Sequence, residues 1–118
     1  MEEYEAVFLP SFLRCVKRHP DQQTRVRDFV RRLQADPYQA GESHPLAVRG
    51  GVDLRGKRGA HISRNFVVIF MVCEECINRS FRAKGLNRCE PCPERPEKRL
   101  VLIAFGPHQV AYGHEWGA

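Results

Sequence analysis

Phe66-Val67-Val68-Ile69-Phe70-Met71-Val72 and Leu100-Val101-Leu102-Ile103-Ala104-Phe105 are the two stretches that decide the fold. Both are short and dense in β-branched and aromatic residues, so both predict sheet strands. Working outward, residues 54–62 read as a polar strand or strand approach, and residues 110–112 as a short last strand. At the other end, residues 3–9 read as an opening strand, stopped by Pro10. Ser11 then predicts a cap for a helix over Phe12, Leu13 and Val16, which share a face and end at His19-Pro20. Asp21 predicts the cap of a second helix. Its apolar positions Val26, Phe29, Val30 and Leu33 repeat at helical period, and Asp36-Pro37 terminates it. The two helices form a hairpin with one buried stripe. Residues 38–51, rich in Gly, Pro, Ser and His, read as a loop leading into sheet. Helices followed by strands place the chain in the α+β class.

A length of 118 residues predicts a single domain, 1–118, with an appendage. Apolar content of 42% and charged content of 28% exclude disorder and fibrous classes. The sequence has no apolar run near the ~20 residues a bilayer span needs, and its acidic start differs from a secretory signal, so a cytoplasmic protein without membrane partners is expected. The net charge of +5 is unevenly spread. Residues 1–48 sum to zero, as do 99–118, whereas 49–64 carry Arg49, Arg55, Lys57, Arg58 and Arg64 against Asp53 alone. That region reads either as a polyanion-attracting surface or as a solvated basic face.

The segment 73–99 between the two apolar runs is far longer than a hairpin turn and needs its own source of order. It carries Cys73-Glu74-Glu75-Cys76 and Cys89-Glu90-Pro91-Cys92, two C-x2-C pairs twelve residues apart. Each pair can aim two thiolates at one point, and together they complete the tetrahedral four-sulfur shell of a closed zinc site. Only Ile77, Phe81 and Leu86 offer much burial, so a structural zinc held by Cys73, Cys76, Cys89 and Cys92 is expected to stabilise a small ribbon-like insert. Iron in the same ligand set, two disulfides, or unligated thiols are the other readings. Arg79, Arg82, Lys84 and Arg88 could extend the basic surface. Cys15 falls outside the set and reads as a core residue.

Three of the five histidines flank the expected sheet: His44, His61 and His108. His44-Pro45-Leu46, Arg58-Gly59-Ala60-His61-Ile62-Ser63-Arg64-Asn65, Val67-Val68-Ile69-Phe70, and Phe105-Gly106-Pro107-His108 followed by Tyr112-Gly113 resemble, in that order, the YafQ-like branch of the RelE/ParE toxins. The resemblance covers the chain apart from the cysteine insert. It implies an antiparallel sheet backed by the N-terminal helical hairpin, with the zinc-binding insert between two strands. It also implies the toxin of a toxin–antitoxin system: an endoribonuclease acting on mRNA in the ribosomal A site and restrained by a cognate antitoxin. His44, His61 and His108 match the family's functional histidines. Asn65 stands where the family carries an aspartate, and asparagine cannot exchange a proton near neutral pH, though it can orient a group by hydrogen bonding.

RNA carries its own nucleophile, the 2′-hydroxyl, so metal-independent cleavage needs a base, an acid and a stabiliser of phosphate charge. Imidazole suits the first two roles. His61 and His108 are the expected pair, with His44 and Asn65 positioning and with Arg58, Lys57, Arg64 and Arg55 around the phosphate. Tyr112 is placed against a base or the phosphate by the resemblance, and as a core tyrosine otherwise. Two other functions stay open. Asn65 favours a non-catalytic RNA- or ribosome-binding zinc protein on the same fold, and a ParE-like inhibitor of DNA gyrase would need no proton-transfer set. A plain zinc-stabilised interaction domain would leave the histidine pattern to coincidence.

Overall fold

The computed structural model describes residues 3–46, 48–49, 52–81, 83–85 and 97–107. The chain begins with β1 (Glu5–Phe8), α1 (Pro10–Lys17), a 3-10 turn at Pro20–Gln22 and α2 (Gln23–Ala35). A second 3-10 turn at Ala40–Glu42 leads to β2 (His44–Pro45), β3 (Val48–Arg49), β4 (Val52–Asp53), β5 (Arg58–His61) and β6 (Phe66–Val72). Then come α3 (Cys73–Asn78) and β7 (Arg99–Pro107). The main sheet has the order β1-β7-β6-β5-β2, and β3 pairs with β4 in a separate ribbon. β7, β6, β5 and β2 are antiparallel neighbours, as expected, while β1 joins β7 in parallel. None of the described helices is long and apolar enough to cross a membrane.

The two apolar runs are the central pair, β6 against β7, and they are buried on both faces because the sheet separates two clusters. Val68, Phe70, Val72, Leu100, Leu102 and Phe105 pack with Phe12, Val26, Phe29, Val30 and Leu33 of the helices. Val67, Ile69, Met71, Val101 and Ile103 pack on the other side with Leu54 and Cys76. The period-two alternation of a strand sorts neighbouring residues between these faces, and a register shift at Ile69/Phe70 marks a bulge at Ile103 of β7.

Helix starts differ from the sequence expectation. Leu9, not Ser11, is the N-cap of α1, because Pro10 fits the first turn, where its missing N–H is not needed. Ser11 is buried instead, its hydroxyl donating to the Ile103 carbonyl at 2.6 Å. Gln22 caps α2 without a side-chain bond, Asp21 being taken up in the preceding 3-10 turn. Leu13 remains about half exposed although it was expected on the buried stripe; it lines an open apolar cleft with Phe8, Phe12, Val26 and Val30. The polar approach at 54–62 narrows to the four residues of β5. The predicted strand at 110–112 lies outside the described residues.

Segment 73–99 does not begin as a detached ribbon. Its first six residues form α3, and both Cys73 and Cys76 are buried in the domain. Helical spacing accounts for this: residues three apart share a face, so the C-x2-C pair turns inward while Glu74 and Glu75 turn to polar partners.

Candidate active site: a histidine pair beside a basic cleft

The register of β2, β5 and β6 builds the site. His44 pairs with Gly59, and His61 with Val67, so both histidines project from the sheet face opposite α1 and α2. Their positions are diagonal neighbours across β2 and β5, a separation aromatic rings can span. The rings stack with centroids 6.3 Å apart and planes inclined by 25°. His44 is exposed, and its Nδ1 lies 3.0 Å from the Glu42 carbonyl. A carbonyl can only accept, so this bond requires the proton on Nδ1 and leaves Nε2 of the neutral ring with its lone pair.

His61 also lines a cleft of about 720 Å³ with Arg32, Gln39, Gly41, Glu42, Ser63 and Arg64. Two guanidinium groups against one carboxylate make the wall basic, which favours an anionic ligand. Gly41 sets the shape. It has φ +59°, and an added Cβ there would lie 2.4 Å from the His61 carbonyl oxygen and 2.5 Å from the Phe29 ring. Only glycine lets the 3-10 turn approach the strand so closely.

The predicted basic residues divide. Arg64 lines the cleft, and Arg55 is exposed in the turn before β5. Lys57 is buried, its Nζ 3.3 Å from the Arg55 carbonyl. Arg58 pairs with Phe70 in the strand register, so it points to the helix side, away from the face of His61. There its NH1 meets Glu75 Oε2 at 2.8 Å, Nε donates to Ser43 Oγ at 2.9 Å, and NH2 donates to the Ser43 carbonyl at 3.2 Å. Its guanidinium thus holds protein segments together, where the sequence reading had placed it on phosphate. Asn65 is exposed in the turn joining β5 to β6. His108 and Tyr112 lie outside the described residues, as do Cys89 and Cys92. Sequence reading missed Arg32, Gln39, Gly41, Glu42 and Ser63. Only Gly41, in a glycine-bearing loop, carried a usable signal; Arg32 is one of many arginines on a polar helix face.

Beside Arg58, Glu74 receives the hydroxyls of both Tyr4 and Tyr38, the latter at 2.9 Å. Burial first, then the hydrogen bond and charge of Glu74, push the Tyr4 hydroxyl up to about 12 and that of Tyr38 higher still. A phenol raised in the folded state stabilises the fold fully below its unfolded value near 10, and this contribution is lost as pH rises through the folded value. Stability is therefore expected to decline from about pH 10 upward, with Tyr4 and Tyr38 ionising later than free tyrosine. An ultraviolet titration of tyrosinate beside alkaline melting curves checks this; two tyrosines ionising near pH 10 would contradict it.

Among the described residues no group of three or more histidine, cysteine or acidic side chains is placed to hold a metal. Cys73 and Cys76 are both buried, on one helical turn of α3, and Cys76 packs in the apolar cluster with Leu54.

No family model matches the sequence, and no curated protein matches it. Solved structures do. The RelBE2 toxin–antitoxin complex of Mycobacterium tuberculosis contains a chain that is 14% identical and superimposes with a TM-score of 0.57, over 90% of this chain and 99% of that one. A YoeB/ParE toxin from Agrobacterium tumefaciens is 16% identical, with a TM-score of 0.54 over 88% of this chain and 98% of its own. YafQ from Escherichia coli is 14% identical, with a TM-score of 0.56 over 90% and 94%. At such identities the likeness speaks for architecture, and the five-stranded sheet with its helices is the α+β fold of the RelE/YafQ-type toxins.

Proposed function

We propose that the chain is the toxin of a toxin–antitoxin system and an endoribonuclease that cuts mRNA in the ribosomal A site. The carrying observation is the stacking of His44 on His61, a residue that also lines a cleft with Arg32 and Arg64. The neighbours that share this fold are themselves toxins, one of them in complex with its antitoxin. In this reading His61 and His108 carry the proton transfers of 2′-hydroxyl attack, one as base and the other as acid. His44, when protonated, can donate from Nε2 to the phosphate while Nδ1 stays on the Glu42 carbonyl. Arg64 and Arg32 offset the charge that builds on the phosphate, with Arg55 and Lys57 adding to the field, Asn65 orienting by hydrogen bonds, and Tyr112 stacking on a base. A cognate antitoxin restrains the activity, and the cytoplasm, where ribosomes are, is its location.

Cleavage by 2′-hydroxyl attack leaves a cyclic phosphate on one fragment and a 5′-hydroxyl on the other. Mapping the ends of ribosome-bound mRNA cut by the purified chain tests the proposal; intact mRNA, or 5′-phosphate ends, would overturn it. Asn65, which cannot exchange a proton where the resembled family carries an aspartate, favours the second reading, a ribosome-binding protein without catalysis, for which mRNA stays intact while ribosomes are retained.

For the cysteines, the proposal is a structural zinc held by Cys73, Cys76, Cys89 and Cys92, which would tie the end of segment 73–99 back to α3. With four sulfur ligands it would have no open position for a catalytic water. Metal analysis of protein purified without chelator is expected to return about one zinc per chain, by analogy with closed four-cysteine sites. Metal-free, fully folded protein would refute that assignment.

A further inference from the structure

Arg58 and Glu75 have side chains only 8% and 10% exposed, so their charges carry a desolvation cost that pairing must offset. What the pairing accomplishes is visible in the segments it joins. The Arg58 fork grips Ser43 twice, through Oγ and through the main-chain carbonyl, and its plane lies over the Tyr38 ring at 5.2 Å. Ser43 immediately precedes His44. The strand carrying His44 has just two residues, paired as His44 with Gly59 and Pro45 with Arg58, so the ladder alone gives its ring little restraint. Glu75, which fixes the third arm of the fork, lies between Cys73 and Cys76 on α3, and Glu74 beside it is held by Tyr4 and Tyr38.

We infer that Arg58 is a positioning residue: its fork fixes Ser43, and with it the His44 ring, at stacking distance from His61, while Glu75 anchors the fork to the cysteine helix. The nuclease site is thereby tied to segment 73–99, although no residue of α3 lines the cleft. Arg58 acts through the backbone on the opposite sheet face and touches no RNA. The assignment deepens the nuclease reading and rests on it for its kinetic consequences, but the ring geometry can be read without any activity.

Arg58→Lys separates positioning from mere stability. Lysine keeps a cation opposite Glu75 yet lacks the planar fork that reaches both Ser43 atoms. The variant is expected to fold, to lose the nuclear Overhauser contact between the His44 and His61 ring protons, and to drop kcat roughly 10- to 100-fold with KM for ribosome-bound mRNA little changed, as misplaced reacting groups do. Ser43→Ala, which removes one acceptor and leaves the carbonyl, is expected to weaken the same ring contact partially, and it supplies the reading if Arg58→Lys does not fold. Ring contacts equal to those of the parent in the folded variants would overturn the inference. A parent chain with the ring contact but no cleavage would defeat the nuclease reading alone.

Discussion

Replacing His61 by alanine is expected to reduce cleavage of ribosome-bound mRNA by about 10²- to 10⁴-fold, the usual contribution of a positioned proton-transfer group. The residue lines the cleft with Arg32 and Arg64, stacks on His44 and is fixed in its strand by pairing with Val67, a combination that no other described histidine has. Its backbone, not its ring, makes the close approach to Gly41. Truncating the ring therefore leaves the packing of β5 on the 3-10 turn in place, and a melting temperature near that of the parent should accompany the lost activity. The same variant sorts the competing functions. Loss of growth arrest with ribosome association retained points to catalysis, arrest that persists with intact mRNA points to binding alone, and arrest accompanied by gyrase inhibition points to the ParE-like activity. Cleavage at the parental rate would remove His61 from the chemistry.

Gly41→Ala is expected to cost about 2 to 5 kcal/mol, adding the penalty for a side chain in the left-handed region to that of an overpacked core contact. Neither obstacle can move cheaply: one is a carbonyl oxygen of β5 and the other is the Phe29 ring, buried among α2 and the sheet. For a domain of this size each kcal/mol lowers the melting temperature by roughly 4 to 8 °C, so a fall of about 10 °C or more is predicted. Calorimetry checks it. A melting temperature within a few degrees of the parent would mean that the turn can withdraw from β5 without penalty. Because the displaced carbonyl belongs to His61, cleavage by the surviving folded fraction should fall as well.

Much of the architecture was legible in the chain. The runs at 66–72 and 100–105 read as strands, since their β-branched and aromatic density fits a buried sheet, and they became its central pair. The helical period of Val26, Phe29, Val30 and Leu33 marked the buried face of α2. Where local chemistry competed with burial, burial prevailed: Ser11 left its expected capping role for the Ile103 carbonyl, and Leu13 stayed outside the core.

The site was only half legible, for a reason that belongs to the sheet. Residue type picks out imidazole and guanidinium groups, but the face each one occupies depends on strand register, and a shift of one position reverses it. Arg58 and His61, three residues apart on one short strand, lie on opposite faces, so Arg58 bonds Ser43 and Glu75 while His61 stacks on His44. By itself the sequence determined the central strands, the two N-terminal helices and the residues with useful chemistry, because these follow from side-chain shape and period, whereas β2 and α3 fell in stretches read as loop and insert. Tertiary structure alone decided which of them meet, because contacts such as Arg58 with Ser43 and Glu75, or Gly41 with His61, join segments that no local pattern relates.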